Sequence, residues 1–284
     1  MKAIRPAVNS QRGFTLVELI IVITLLGVVG VLATTMVGNQ MQGYVDTARR
    51  AALVAKADGA LRQLARDLRN AVPFSVRTNG TAIEWTPIED FGRYRKLPGS
   101  GGDLLDFSAP DSQFDIIGPL PAVGAGNRLV VGNSDLAASG YNLYQAASDG
   151  SSLPAGAHVI TGTAITPSLA GSTLSLSAPF QFSQDSIASR FYVVSGGASY
   201  VCNTGTGELT RYSGYTLQAA QPTNPAAAPL SSASTALLVD SVSACSFGYS
   251  AVDALNGIVT LVLTLSDQGE SVTLVRFIHV ENRS

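Results

Sequence analysis

Charge is scarce in this chain. Only 13% of its 284 residues are Asp, Glu, Lys or Arg, about half the usual share, while 46% are hydrophobic. That balance excludes a disordered, highly charged polymer. Cysteine and histidine are nearly missing, with two of each, which leaves little material for a zinc or haem centre. The net charge of −2 gives no overall basic excess for nucleic acid. Catalytic signatures are missing too: there is no G-x-S-x-G elbow, Walker A loop, H-E-x-x-H or C-x-x-C. His158 and His279 lie far apart in sequence and outside any recognisable motif. No enzyme activity and no cofactor is expected. Proline is absent from Phe14 to Val72, so nothing in that stretch forces a helix to break.

What is present falls into four segments. Residues 1–13 carry Lys2, Arg5 and Arg12 and no acid; residues 14–37 are almost wholly apolar, with Glu18 as the only charge. Residues 38–72 are polar, rich in Ala and read as helix, and residues 73–284 are rich in Gly, Ser, Thr and Val. Residues 14–72 hold six basic and four acidic side chains, which leaves −7 on residues 73–284. As a helix the apolar run is ~36 Å long, enough for a bilayer core of ~30 Å. It is longer than the core of a secretory signal peptide, about 7–15 residues, and Val31-Leu32-Ala33 is a poor cleavage site of that kind. A carboxylate in hydrocarbon costs about 2.5–3.5 kcal/mol even on lenient scales, so Glu18 calls for a partner.

Leu61, Leu64, Ala65, Leu68 and Val72 form an apolar stripe of helical period, which Tyr44, Ala48, Ala51, Val54 and Ala55 extend less cleanly. Pro73 stops the helix, and Gly27, Gly30, Gly38 and Gly43 are its expected weak points. Arg62, Arg66 and Arg69 read as a solvated side, or as partners for carboxylates of the following domain.

After Pro73 the period becomes 2. Residues 82–86, 128–131, 158–161 and 190–194 read as short strands. Residues 259–266 and 272–280 alternate around Asp267-Gln268-Gly269-Glu270, the pattern of a long antiparallel hairpin with Gly269 at positive φ. Residues 98–102, 118–127, 146–157 and 221–235 read as loops. In an exported protein Cys202 and Cys245 form a disulfide by default; two reduced, buried thiols are the alternative. Asp103 and Asp106 offer calcium two carboxylates after a Gly-rich turn, without an EF-hand pattern.

The string Gln11-Arg12-Gly13-Phe14-Thr15-Leu16-Val17-Glu18-Leu19-Ile20 resembles the prepilin signature of type IV pilins and type II secretion pseudopilins. The resemblance implies cleavage after Gly13 by a prepilin peptidase, N-methylation of Phe14, and pairing of Glu18 with the Phe14 amine of a neighbouring subunit during assembly. Residues 64–72 look like the helix end of J-type pseudopilins. Residues 190–202, 207–215, 237–249 and the closing His279-Val280-Glu281-Asn282 are similar to the O-type minor pilins of MSHA (mannose-sensitive haemagglutinin) biogenesis.

The fold implied is α+β and pilin-like. A long N-terminal α-helix, transmembrane in its first half and amphipathic in its second, packs on a β-rich antiparallel domain. The segments are a leader (1–13), a transmembrane and assembly helix (14–37), its amphipathic continuation (38–72) and a periplasmic β-rich domain (73–284). The implied role is that of a minor pilin, held in the inner membrane until it joins the pilus at the cell surface. The implied partners are other pilins, major and minor, the prepilin peptidase and the inner-membrane assembly machinery, with no nucleic acid. A J-type pseudopilin is the rival within the class, and a membrane-anchored periplasmic binding protein the rival outside it.

Overall fold

A computed structural model describes residues 13–97, 101–134, 141–144, 158–251 and 256–282. Residues 1–12 of the expected leader (1–13) and most of two expected loops (residues 98–100 and 146–157) lie outside the described residues. The chain divides into two units, Met1–Ala51 and Ala52–Ser284. One helix, α1 (Leu16–Arg69), contributes to both. It runs without a break through Gly27, Gly30, Gly38 and Gly43. The glycines therefore do not unwind it here.

In the second unit α1 buries Leu53, Ala57, Ala60, Leu61, Leu64, Ala65 and Leu68. The stripe expected from Leu61 onward is confirmed, but its upstream extension is corrected. Tyr44 and Val54 are exposed, as are Ala48, Ala51 and Ala55. The buried row reaches back through Ala57 to Leu53, which lie seven and eleven residues before Leu64 and so within about 20° of its direction; Ala55 lies on the opposite side, and Val54 sits at the rim of the face. The helix also ends earlier than Val72. Asn70 and Ala71 donate back to Asp67 and Leu68 in a tighter final turn, and the Val72 N–H goes to the Thr86 carbonyl (2.9 Å). Pro73 disfavours helical geometry at Val72, and the neighbouring chain captures the freed backbone.

The rest of the unit is antiparallel β-structure. β1 (Arg77–Thr78), β2 (Ala82–Trp85), β9 (Gly197–Asn203), β10 (Glu208–Tyr215) and β11 (Ser234–Val239) form a five-stranded sheet in the order β1-β2-β9-β10-β11. β12 (Val242–Ala251), β13 (Asn256–Asp267) and β14 (Glu270–Glu281) form a meander. β3 (Asp90–Arg93), β8 (Arg190–Val194) and β5 (Arg128–Val131) form a third sheet; β4 (Asp111–Asp115), β7 (Thr173–Phe180) and β6 (Pro167–Ala170) form a fourth. The expected hairpin is β13–β14, with Asp267 paired to Glu270 and positive φ at both Gln268 and Gly269, the signature of a type I′ turn. Residues 158–161 are not a strand; they make isolated bridges to Phe182 and Val130. Their apolar run fills the space beside β5 without a continuous ladder. The 221–235 stretch is not wholly loop either. It contains a 3-10 turn at Leu230–Ser232, with Leu230 buried against Ala82, Val201 and Tyr215, before β11 begins.

The largest core lies where the α1 stripe meets Ile83, Trp85, Tyr200, Leu209, Phe247, Leu261 and Leu263. Trp85 stacks on Tyr200 (5.3 Å between centroids), and the Tyr200 hydroxyl donates to Asp67 of the helix (2.8 Å). A second core joins β3–β8–β5 to β4–β7–β6 around Phe114, Leu129, Phe182 and Phe191. Cys202 and Cys245 are disulfide-bonded, with Cα atoms 6.6 Å apart. The bond ties β9 of the first sheet to β12 of the meander.

Arg77 of β1 and Glu84 of β2 pair across the first sheet. Glu84 is fully buried, and the Arg77 guanidinium donates to it (2.6 Å) while stacking on Tyr144 (3.7 Å to the ring centroid). Arg77 also donates to the carbonyls of Ala219 and Gln218 (2.6 and 2.7 Å). The Tyr215 hydroxyl donates to the other Glu84 oxygen (3.0 Å). Burial raises the Glu84 pKa, opposed by the charge and hydrogen bond of Arg77. Burial raises Tyr215 and Tyr144 as well, followed by the nearby Glu84 charge, so both stay neutral donors.

Two predictions test this account. Removing one member of a buried pair leaves an uncompensated charge, so Glu84→Ala should cost about 3 kcal/mol, seen as a lowered midpoint in urea unfolding. Because folded Glu84 holds its proton to higher pH than the unfolded side chain, stability should fall as pH rises from 4.5 through its folded pKa. Glu84→Gln should flatten that slope. The double change Cys202→Ser, Cys245→Ser should cost about 4 kcal/mol by loop-closure entropy, measured the same way; an unchanged midpoint would show that the bond contributes nothing.

Candidate functional site

Gly13, Phe14 and Thr15 precede the helix and have no regular secondary structure. Gly13 is exposed, and among the described residues a side chain placed there would meet no atom within 4 Å. The Gly13–Phe14 bond therefore lies in open, non-helical backbone. Thr15 caps the helix: its hydroxyl accepts from the Glu18 N–H (3.2 Å), and its carbonyl from the Leu19 N–H (3.1 Å). Thr-x-x-Glu is the spacing of a capping box; here the hydroxyl half is formed, satisfying one orphan N–H of the helix start. A carboxylate in the first turn is also favoured by the helix dipole. Sequence reasoning singled out Gly13, Phe14 and Glu18 and missed Thr15, although the signal stood in the same string.

The structure brings Phe14, Thr15 and Glu18 together at one helix end. Beyond them every large apolar side chain from Phe14 to Leu32 is at least 42% exposed. Leu16–Thr34 is long and apolar enough to cross a membrane, with mean hydropathy 2.8 and none of it buried. A helix apolar on all sides has no solvated face to turn outward, which is consistent with membrane anchoring. The threonines within it are already satisfied. Thr24 donates to the Ile21 carbonyl (2.9 Å), and Thr34 to those of Val31 (2.9 Å) and Gly30 (3.1 Å), the arrangement that lets hydroxyls sit in hydrocarbon. The Glu18 carboxylate is different: among the described residues it has no side-chain partner.

The other sequence candidates lie elsewhere. Arg62 pairs with Asp58 on its own helix (2.6 Å) and Arg66 with Gln63, while among the described residues Arg69 pairs with no carboxylate. The helix-to-sheet ion pairs run mostly the other way, from Arg211 to Asp67 (3.2 Å) and Arg276 to Asp58 (3.6 Å), joined by Lys56 to Asp240 (2.8 Å). His158 is buried and His279 is exposed on β14. Asp106 accepts the N–H and hydroxyl of Ser108 (2.7 Å each), which holds its carboxyl below the usual range. The Asp103 N–H donates to Asp115 (3.0 Å). Among the described residues no group of three or more His, Cys, Asp or Glu is placed to hold a metal ion.

The cap predicts a local effect. Thr15→Ala should loosen the first turn by about 1 kcal/mol, which is roughly a fivefold rise in amide exchange at Glu18. Exchange measured by NMR in micelles would check this, with amides after Leu26 unchanged.

Residues 8–34 match the family model of the prokaryotic N-terminal methylation motif. No curated protein and no solved structure matches the chain. The motif match spans the open Gly13–Phe14 bond, the Thr15 cap and Glu18, and it supports a place for the chain in the pilin and pseudopilin family.

Proposed function

We propose that this protein is a minor pilin of an MSHA-like type IV pilus, with no reaction of its own. A prepilin peptidase cuts after Gly13, and the new N-terminus at Phe14 is methylated and keeps its positive charge. The second unit stands in the periplasm while the apolar helix is held in the inner membrane. Assembly into, or priming of, the filament moves that helix from lipid to the helices of other pilins, and the protein reaches the cell surface there. Within lipid there is no hydrophobic gain from helix association, so polar pairing carries more weight. An ammonium and a carboxylate in one low-dielectric site each offset the other's desolvation.

The observation that carries this reading is the Glu18 carboxylate, without a side-chain partner among the described residues, in the first turn of a helix whose large apolar side chains are exposed from Phe14 to Leu32, one turn from the Gly13–Phe14 bond. The motif match over residues 8–34 supports it. The finer choice of a pilus over a secretion pseudopilus rests on the resemblances in residues 190–202, 207–215 and 237–249, against the J-type likeness of residues 64–72.

Mass spectrometry of the filament-borne protein should find a chain that begins with methylated Phe14. Glu18→Leu should leave the protein made and membrane-bound yet absent from sheared filaments. Normal incorporation of that variant would end the proposed pairing. An unmethylated start inside the apolar run would favour a membrane-anchored binding protein. Loss of secretion rather than piliation on deletion would favour the J-type pseudopilin.

A further inference from the structure

The last turn of α1 and the β3–β8 pair enclose a cleft of about 230 Å³. Its lining includes Arg69, Ile88, Phe91, Arg190, Tyr192 and Glu281. The register sets Phe91 opposite Tyr192 and Arg93 opposite Arg190. By the alternation of a strand, these four side chains share one face, while Gly92 on the other face lies against the Phe191 ring. Two exposed arginines thus stand directly across an antiparallel pair, an arrangement that destabilises a sheet. Arg69 adds a third guanidinium. Among the described residues none of the three forms an ion pair with a carboxylate, whereas Arg62, Arg77, Arg95, Arg211, Arg276, Lys56 and Lys96 all do.

The helix dipole accounts for a cation in the last turn, and hence for Arg69 by itself. It does not account for Arg93 facing Arg190. Nor does overall charge, since residues 73–284 carry −7. The apolar part of the cleft is also open, with Phe91 57% exposed. Arg190 hydrogen-bonds the Tyr192 hydroxyl, which fixes one guanidinium at the cleft wall. The volume is below the roughly 300–1,000 Å³ of small-molecule pockets and suits one or two side chains. Glu281 on the lining opposes a polyanion such as nucleic acid.

We propose that this cleft docks an acidic peptide segment of a partner protein, with a carboxylate between Arg69 and Arg190 and the adjoining apolar side chain on Phe91 and Ile88. The site lies wholly in residues 52–284 and does not depend on Glu18 or on the N-terminal processing.

The test uses the full-length chain in detergent micelles and a fluorescein-labelled peptide, Ser-Gly-Asp-Phe-Asp-Gly-Ser, followed by anisotropy. Binding with a Kd at or below about 1 mM is expected, weakened about tenfold by Arg69→Gln with Arg190→Gln. Replacing Asp by Asn in the peptide should weaken it to a similar extent. Glu281→Gln should tighten binding about threefold, a gain that misfolding cannot produce. Phe91→Ala should weaken the peptide without changing the response to inorganic pyrophosphate. The proposal is overturned if the Asn peptide binds equally well, if the arginine and Glu281 variants leave binding unchanged, or if oligothymidylate binds more tightly than the peptide.

Discussion

The second half of α1 lies against two sheets at once, and the fold of residues 52–284 depends on that contact. Leu61, Leu64 and Leu68 are almost fully buried there, each contributing on the order of 1.5–3 kcal/mol. Ala57, Ala60 and Ala65 are buried in the same core. The aromatic pair Trp85–Tyr200 fills the space on the sheet side, and the Tyr200 hydroxyl reaches back to Asp67. The disulfide and the bridge between Gly80 and Phe247 then hold the two sheets beneath one helix face.

The same helix serves two environments. From Phe14 to Leu32 its large apolar side chains are exposed, and the hydroxyls of Thr24 and Thr34 are satisfied inside the helix itself. After Ala52 one face is dry and the opposite face is charged. A single run of backbone hydrogen bonds crosses this change without proline, so what differs along the helix is the solvent each part requires. Among the described residues the Glu18 carboxylate at the capped start and Arg69 in the last turn of the helix form no ion pair, whereas Lys56, Asp58 and Asp67 are paired with residues of the sheet domain.

Some of this was legible from periodicity. The β13–β14 hairpin follows from strict alternation and a turn that tolerates positive φ, and β2, β5 and β8 from short runs of branched and aromatic residues. Where several readings fitted the local pattern, tertiary packing decided. Val54 and Ala55 are as apolar as Leu53 and Ala57, but Ala55 lies across the helix from Leu64, and Val54, at the rim of the buried face, is 40% exposed. His158-Val159-Ile160-Thr161 reads as a strand, yet it finds no continuous neighbour to pair with. Leu230 looked like part of a proline-rich loop; its burial depends on the sheet face formed by Ala82, Val201 and Tyr215, strands distant in sequence. Thr15 was readable and overlooked, since the capping box is a local rule that needs no tertiary partner.

The sequence by itself determined the apolar helix, its lone acid, the change of period after Pro73 and the closing hairpin. Each of these depends on residues within a few positions of one another, where propensity and hydrophobic spacing act. Only the tertiary structure decided which helix face is dry, which strands share a sheet, that Arg77 neutralises Glu84 under a tyrosine lid, and that Arg69, Arg93 and Arg190 meet near one cleft. Those arrangements join residues tens to more than a hundred positions apart, and the energy that selects them comes from burial and charge pairing, which no local pattern records.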